Sequence, residues 1–308
     1  MQLTHNNVIT SKQRLSCSIC DYRVDPNNES TFATFPCSIR AFKDEKFKVW
    51  RCPDCQTIHC LDVVDLDHYY AKYAIFQTEL TWTYRFVYGN LYRQLKKHGF
   101  SKSGSLLDYG CGTNALFVQY LQEQGFTNIY GYDPYGTKDG FGNPTTLQRG
   151  PFDYILLQDV IEHVEDPNAL LSELDSLLAP GGYILIGTPN AANIDLNQPD
   201  LPEYYNCVHI PYHLHIYTRE TLESLGKSQG WEPVDFFARK YYDTPWFAFN
   251  FRALNAYVSL LDGTTNVLCE PFKLGKALTS PKFLFYAIFG YWLSFHVEMS
   301  IMFRKSLN

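Results

Sequence analysis

Ser105-Leu-Leu-Asp-Tyr-Gly-Cys-Gly-Thr-Asn-Ala-Leu-Phe117 is the stretch on which the reading of this chain turns. Its opening reads as a buried strand, Gly110 and Gly112 as a tight turn, and Ala115, Leu116, Val118 and Leu121 as the inward face of a helix. Glycines at such a turn let the backbone approach a ligand closely, and the helix start adds unpaired amides and the positive end of its dipole. A second strand, Ile129-Tyr-Gly-Tyr132, leads into Asp133, where a carboxylate can accept both hydroxyls of a ribose. Gly110, Gly112 and Ala115 also satisfy the loose G-x-G-x-x-A form of the nicotinamide fingerprint. The glycines taken alone are therefore ambiguous.

The flanking sequence decides. Phe152-Asp-Tyr-Ile-Leu-Leu157 is a further buried strand, followed by Gln158-Asp-Val-Ile-Glu-His163 in a loop. Asp166 caps a helix that has Pro167 at its first position and Leu170, Leu171, Leu174, Leu177 and Leu178 on one face. Pro180-Gly181-Gly182 is expected to stop that helix, and Tyr183-Ile-Leu-Ile186 is a strand leading into Thr188-Pro-Asn190.

Leu107-Asp-Tyr-Gly-Cys-Gly112, Gly131-Tyr-Asp133, Phe152-Asp153, Asp159-Val-Ile-Glu-His-Val164, Pro180-Gly-Gly182 and Thr188-Pro-Asn190 arrive in an order and at intervals that resemble the class I S-adenosylmethionine-dependent methyltransferases. Within that family they look like the branch of ubiquinone-type and secondary-metabolite enzymes, as does His213-Leu-His-Ile-Tyr-Thr218 before a helix ending at Gly230. The resemblance covers about residues 65 to 305. It implies an α/β fold with a Rossmann-like, seven-stranded sheet, S-adenosylmethionine as cofactor, and methyl transfer to a small-molecule acceptor, by O- or N-methylation in a biosynthetic pathway. Asp108 and the turn of Gly110, Cys111, Gly112 and Asn114 would hold the methionine end, Asp133 the ribose, and Gln158 the methionine amine or the adenine. Asn114 stands where the family most often has a third glycine, and Asn is the side chain that best tolerates left-handed backbone. The segment between Asp133 and Phe152 is short for a helix, a third strand and a loop, so one edge of the sheet is expected to be trimmed.

A sulfonium methyl is already activated, so the enzyme's task is alignment of the acceptor, with a base for acceptors that must lose a proton. His163 is the first candidate base, with His213 and His215 next. The resemblance also brings a divalent ion into view on Asp159, Glu162 and His163, although an acid at a strand end and a capping Glu-His pair explain those residues without one. Rings at residues 69 to 92 (Tyr69, Tyr70, Tyr73, Trp82, Phe86, Tyr88) and 241 to 291 (Tyr241, Tyr242, Trp246, Phe249, Tyr257) suit a planar or extended apolar acceptor. From Thr81 the period is helical.

Most of the cysteines crowd toward the amino terminus, as Cys17, Cys20, Cys37, Cys52, Cys55 and Cys60. Cys17-Ser-Ile-Cys20 and Cys52-Pro-Asp-Cys55 are two C-x-x-C knuckles, which supply the four soft ligands of a tetrahedral structural Zn²⁺. A segment this short forms little core, and a metal would stabilise it. Redox use would need a βαβ context that is not visible. Residues 32 to 50 alternate as strands between the knuckles, with Cys37, His59 and Cys60 as reserve ligands. The expected organisation is a zinc module at 1–64, an aromatic helical linker or lid at 65–104, and a cofactor-binding domain at 105–308 with an aromatic insertion at about 241–291.

Composition sets the remaining bounds. The chain has 308 residues and a formal charge of −6, and no run of Lys or Arg exceeds Lys96-Lys97, which speaks against nucleic acid as a partner. Aromatic residues make up 16%, more than a core alone requires. The amino terminus lacks a basic start followed by an apolar run, so a cytoplasmic chain is expected. Between Lys282 and His296 the uncharged stretch, Phe283 to Phe295, is too short for ~30 Å of hydrocarbon, and a buried strand or helix is expected there. A nicotinamide oxidoreductase and a zinc-stabilised, non-catalytic scaffold with the same fold are the alternative functions.

Overall fold

The structure is a computed structural model, and it describes residues 12–73, 79–136, 140–197, 205–293 and 296–307. Between the two knuckles run β1 (Phe32–Pro36) and β2 (Lys46–Arg51), followed by β3 (Ile58–Cys60), an antiparallel meander. β2 buries Phe47 and Val49, while Lys46 and Lys48 turn to the other face, the alternation that the sequence shows; Trp50, on the lysine side, is buried beside the knuckles, its Nε1 donating to the Arg14 carbonyl at 3.1 Å. A short helix α1 (Leu66–Tyr70) precedes α2 (Trp82–Lys97), which buries Val87, Leu91 and Leu95.

The main domain then follows the expected order: β4 (Leu106–Tyr109), α3 (Leu116–Glu123), β5 (Ile129–Tyr132), β6 (Phe152–Gln158), α4 (Pro167–Leu177) and β7 (Leu178–Pro189). Asp166 caps α4 by accepting from the Ala169 amide at 3.0 Å, with Pro167 at the first helical position. The helix ends at Leu177, before Pro180-Gly181-Gly182. Those three residues lie inside β7, which pairs with β6 already from Leu178. Beyond a single turn α5 (Tyr205–Val208) come β8 (His215–Ile216), α6 (Arg219–Ser228), β9 (Trp231–Phe237), α7 (Phe251–Leu260), α8 (Leu274–Leu278), α9 (Pro281–Phe289) and β10 (Glu298–Lys305).

The large sheet has the order β5-β4-β6-β7-β10-β9. β5, β4, β6 and β7 are parallel, and β10 runs antiparallel to both β7 and β9. This is a Rossmann-like mixed sheet, one strand short of seven among the described residues, with the trimmed edge at β5. After Asp133 the chain instead makes 3₁₀ turns at Pro144–Arg149, capped by Asn143. The last strand of the chain, β10, lies between β7 and β9.

The second sheet, β1-β2-β3-β8, draws its last strand from far along the chain. Ile58 pairs with Ile216 and His59 with His215, so the amino-terminal module and the main domain share one sheet. A common core follows, in which Phe35, Val49 and Tyr69 pack with Val208, Tyr212 and Phe251. Among the described residues no helix is long and apolar enough to cross a membrane. The stretch expected to be wholly buried is α9, which buries Phe283 and Ala287 but leaves Phe285, Ile288 and Phe289 in the open.

Candidate active site

The carboxyl ends of β4, β5 and β6 place the residues singled out in the sequence side by side. The amides of Gly110 and Cys111 donate to the Tyr132 carbonyl, at 2.7 and 3.3 Å, which folds the turn over the end of β5. Gly110 has φ +79°, and a Cβ there would lie 2.2 Å from Val160, so only glycine fits. Gly112 has φ +70° with open space where a Cβ would stand. Asp133 locks the turn: one carboxylate oxygen accepts from the Gly112 amide at 2.9 Å and the other from the Tyr135 amide at 2.8 Å. The left-handed residue near the helix start is Ala115, with φ +42°, and not Asn114 as the sequence suggests. Asn114 contributes its carbonyl, which accepts from Gln119 at 2.6 Å.

Asp108 stands at the end of β4, buried, and its carboxylate has no hydrogen-bond partner among the described residues. Burial first, and then the charge of Asp133, push its pKa up to about 7. An unpaired carboxylate beside a glycine turn fits a ligand that brings a cation. The rings of Tyr88 and Tyr241 stack 5.8 Å apart near it, and Asn90 holds the Tyr241 carbonyl at 2.9 Å. Burial pushes the Cys111 thiol up, so it stays protonated and unreactive. Gln158 lies against β7, its amide nitrogen donating to the Leu185 carbonyl at 3.1 Å and its buried Oε1 without a partner.

Three histidines meet next to this turn. His163 and His213 make an edge contact with ring centres 4.8 Å apart, and His209 meets His213 at 5.1 Å. His163 Nδ1 lies 3.0 Å from the Tyr70 hydroxyl, and His209 Nε2 lies 3.0 Å from that of Tyr73. His213 Nδ1–H donates to the Cys207 carbonyl at 2.8 Å, which leaves Nε2 as an acceptor. Burial pushes His163 down to about 4 and His209 to about 3, and lowers His213 strongly, so all three rings are neutral near pH 7. His215 is elsewhere: it is fully buried in β8, with Nδ1 2.9 Å from His59 Nδ1, and belongs to the cysteine module.

The acidic residues beside these rings also sort themselves. Lys240, fully buried, pairs with Asp159 and lies 3.1 Å from Glu298. Burial opposes its charge, but Asp159, Glu298 and Glu162 outweigh burial and keep the ammonium. Asp159 is thus engaged, and the ligand atoms that converge within 4.8 Å are those of Glu162, His163 and His213. One oxygen of Glu162 accepts from Thr188 at 3.0 Å, while the other is buried without a partner. Burial, followed by Asp159, pushes Glu162 up to about 8.

At the amino-terminal module the four expected sulfurs converge, all within 4.8 Å of one another. Cys17 and Cys55 are 3.5 Å apart, as are Cys20 and Cys52. A tetrahedron with ~2.3 Å arms has edges of ~3.8 Å, so the cradle suits Zn²⁺. The knuckles repeat one backbone design. The amides of Cys17 and Cys52 donate to Tyr22 and Thr57, and Asp21 and Gln56 both have φ +61° and donate back to the first cysteine carbonyl. The hydrogen bond between Cys17 and Cys55 pushes the thiol of the first up and that of the second down. His59 Nε2 lies 3.2 Å from Cys17 Sγ. Cys37 and Cys60 are buried in the neighbouring core and stand outside the cluster.

A glycine turn closed by a strand-end carboxylate, on a parallel sheet with one antiparallel strand inserted, is the architecture of a class I S-adenosylmethionine-dependent methyltransferase. A family model described as a methyltransferase domain matches residues 81–235, half of the chain, and the chain belongs to that family. Among curated proteins it is similar to the ubiquinone biosynthesis O-methyltransferase of Caulobacter sp. strain K31, at 34% identity over 103 residues, covering 28% of this chain and 40% of that one. The protein of the same name from Caulobacter vibrioides is 33% identical over 104 residues, covering 28% and 41%. The chain thus spans about two-fifths of the length of the curated relatives it matches. Among solved structures, an S-adenosylmethionine-dependent methyltransferase from Archaeoglobus fulgidus matches at 18% identity and TM-score 0.43, covering 78% of this chain and 100% of that one. A Haemonchus contortus N-methyltransferase solved with phosphomonomethylethanolamine and S-adenosylhomocysteine matches at 17% and 0.43, covering 82% and 64%.

Lys240 and His209 are site residues that sequence reasoning misses. His209 and His213 form a spacing of four in Cys207-Val-His-Ile-Pro-Tyr-His213 that signals a shared site. Lys240 gives no signal, because its carboxylate partners, Asp159 and Glu298, lie far along the chain in either direction.

Proposed function

We propose that the protein transfers the methyl group of S-adenosylmethionine to the oxygen or nitrogen of a small, aromatic or apolar acceptor in a biosynthetic pathway. The observation that carries the reading is the unpaired, buried Asp108 carboxylate beside the Gly110–Gly112 turn. There it would bind the ammonium of the cofactor's methionine end, while Asp133 would bind the ribose. Cys111 and Asn114 shape the turn, and the orphan Oε1 of Gln158 is the acceptor available to an amine. When bound, the cofactor supplies an activated sulfonium methyl. The chain's part is then to hold the acceptor in line, with Tyr88 and Tyr241 as walls, and to remove a proton.

His163 is proposed as the base. Its Nδ1 faces the Tyr70 hydroxyl, so an acceptor hydroxyl replacing or relaying through Tyr70 can deliver its proton there. His213 Nε2 is the second candidate, and His215, buried against His59, is proposed to support the zinc module rather than to act as a base. A second reading, that Glu162, His163 and His213 hold a divalent cation, is favoured by the unpartnered buried oxygen of Glu162. Cys17, Cys20, Cys52 and Cys55 are proposed to hold a structural Zn²⁺. The proposed organisation is a zinc module at 1–64, a linker at 65–104 and a catalytic domain at 105–308, in the cytoplasm, where thiols stay reduced. Isothermal calorimetry tests the cofactor: S-adenosylhomocysteine should bind and NADH should not. Metal analysis separates the two readings, with one zinc per chain under the first and zinc plus a second divalent ion under the other.

A further inference from the structure

We propose that the face formed by α8 and α9 docks the protein onto an anionic lipid surface. Beyond Lys282 in its first turn, α9 is apolar on both its inner and outer sides, a pattern of helices with two apolar environments to satisfy. Its inner side, Phe283 and Ala287, packs on Tyr257 and Val258 of α7. Its outer side continues through the next turn and α8, so that Leu274, Leu278, Phe285, Ile288, Phe289 and Trp292 all stand in solvent, Trp292 with 64% of its surface exposed. The neighbouring loop adds Trp246 and Phe247; it is tied to α9 where the Ala248 amide donates to the Ala287 carbonyl at 2.9 Å. Large apolar side chains exposed together in this way mark a contact surface.

Charge selects the occupant. Residues 271–293 contain Lys273, Lys276 and Lys282 and no Asp or Glu, in a chain of net charge −6. All three lysines are exposed, and Lys273 also pairs with Glu270 just outside the stretch. A face of Phe, Leu, Ile and Trp rimmed by lysines is the composition of an interfacial helix on acidic headgroups, with Trp at the boundary between headgroup and acyl chain. A two-fold pairing of this face with a second copy would bring like charges together, which disfavours that occupant. The contact lies in the interface plane and spans nothing.

Co-sedimentation of the full chain with vesicles tests this. Vesicles of phosphatidylcholine and phosphatidylglycerol at about three to one should bind it, phosphatidylcholine alone much less, and added salt should weaken the difference. The triple variant Phe285→Ser, Phe289→Ser, Trp292→Ser alters exposed side chains and should keep its melting temperature while losing at least tenfold in binding. Lys276→Glu with Lys282→Glu should abolish the preference for acidic lipid. Absence of vesicle binding by the unaltered chain, or equal binding by the triple variant, overturns the proposal. A dimer in light scattering that the triple variant dissolves would assign the face to a second copy instead.

Discussion

Replacing Asp108 by Asn should make the unliganded protein more stable and the liganded one harder to form, and both effects should depend on pH. The folded-state pKa of this carboxyl, about 7, lies above its ordinary value of 3.8 because burial disfavours the charge. Between those values the folded chain holds a proton that the unfolded chain has lost, so this group's contribution to stability is complete below about pH 4 and falls away as pH rises through 7. A rise of that size corresponds to at most about 4 kcal/mol, and a few kcal/mol is the order expected once the site relaxes. In melts at pH 5 and pH 8, Asp108→Asn should therefore gain on the wild type as pH rises.

Cofactor binding runs the other way. The ammonium of S-adenosylhomocysteine needs the ionised form, so wild-type affinity should rise about tenfold from pH 6 to pH 8 and then level off, with the midpoint near 7. The variant should bind weakly and without this dependence, at a loss of ~1.5–3 kcal/mol for a charged hydrogen bond. Calorimetry across that range reads both. A flat wild-type profile, or equal affinity in the variant, would refute the assignment of Asp108 to the ligand's cation.

Asp133→Ala should weaken S-adenosylhomocysteine binding by one to two orders of magnitude in calorimetry, because it would remove the proposed ribose contact and also release the Gly112 and Tyr135 amides. Protein purified under reducing conditions should carry about one zinc per chain, and Cys52→Ser should lose that zinc and lower the melting temperature; folded protein without metal would contradict the cluster's role. His163→Ala should lower turnover ~10²-fold or more with cofactor affinity within a few-fold of wild type. His215→Ala should instead lower the melting temperature through the knuckle and β8; equal turnover losses in both variants would remove the distinction.

The cofactor turn is legible along the chain because the elements that make it are local. Gly110 and Gly112 sit between β4 and α3, all within Leu106 to Glu123, and periodicity and φ requirements act at that range. The two knuckles are legible for the same reason, since each C-x-x-C sets its own geometry. Where sequence and structure part, neighbours in space make the choice. The turn could place its left-handed residue at Asn114, but it falls at Ala115, which is fully buried close to Gly131 of β5. Asp159 has the sequence position of a metal ligand, and Lys240, arriving from just past β9, engages it instead. His215 shares a motif with His213, yet residues two apart share a face only if both lie in the strand; β8 begins at His215, so His213 is free to turn to the site. The outward rings of α9 mislead because apolarity signals burial without naming what does the burying.

Whether the Asp108 to Asp133 constellation is a working S-adenosylmethionine site is tested most directly by calorimetric titration of the full, zinc-loaded chain with S-adenosylhomocysteine and with NADH at pH 8. Saturable, one-to-one binding of the first is expected, abolished or weakened at least tenfold by Asp133→Ala, with no heat from the second. Binding of NADH with no response to S-adenosylhomocysteine, or no response to either in protein that melts cooperatively, would contradict it.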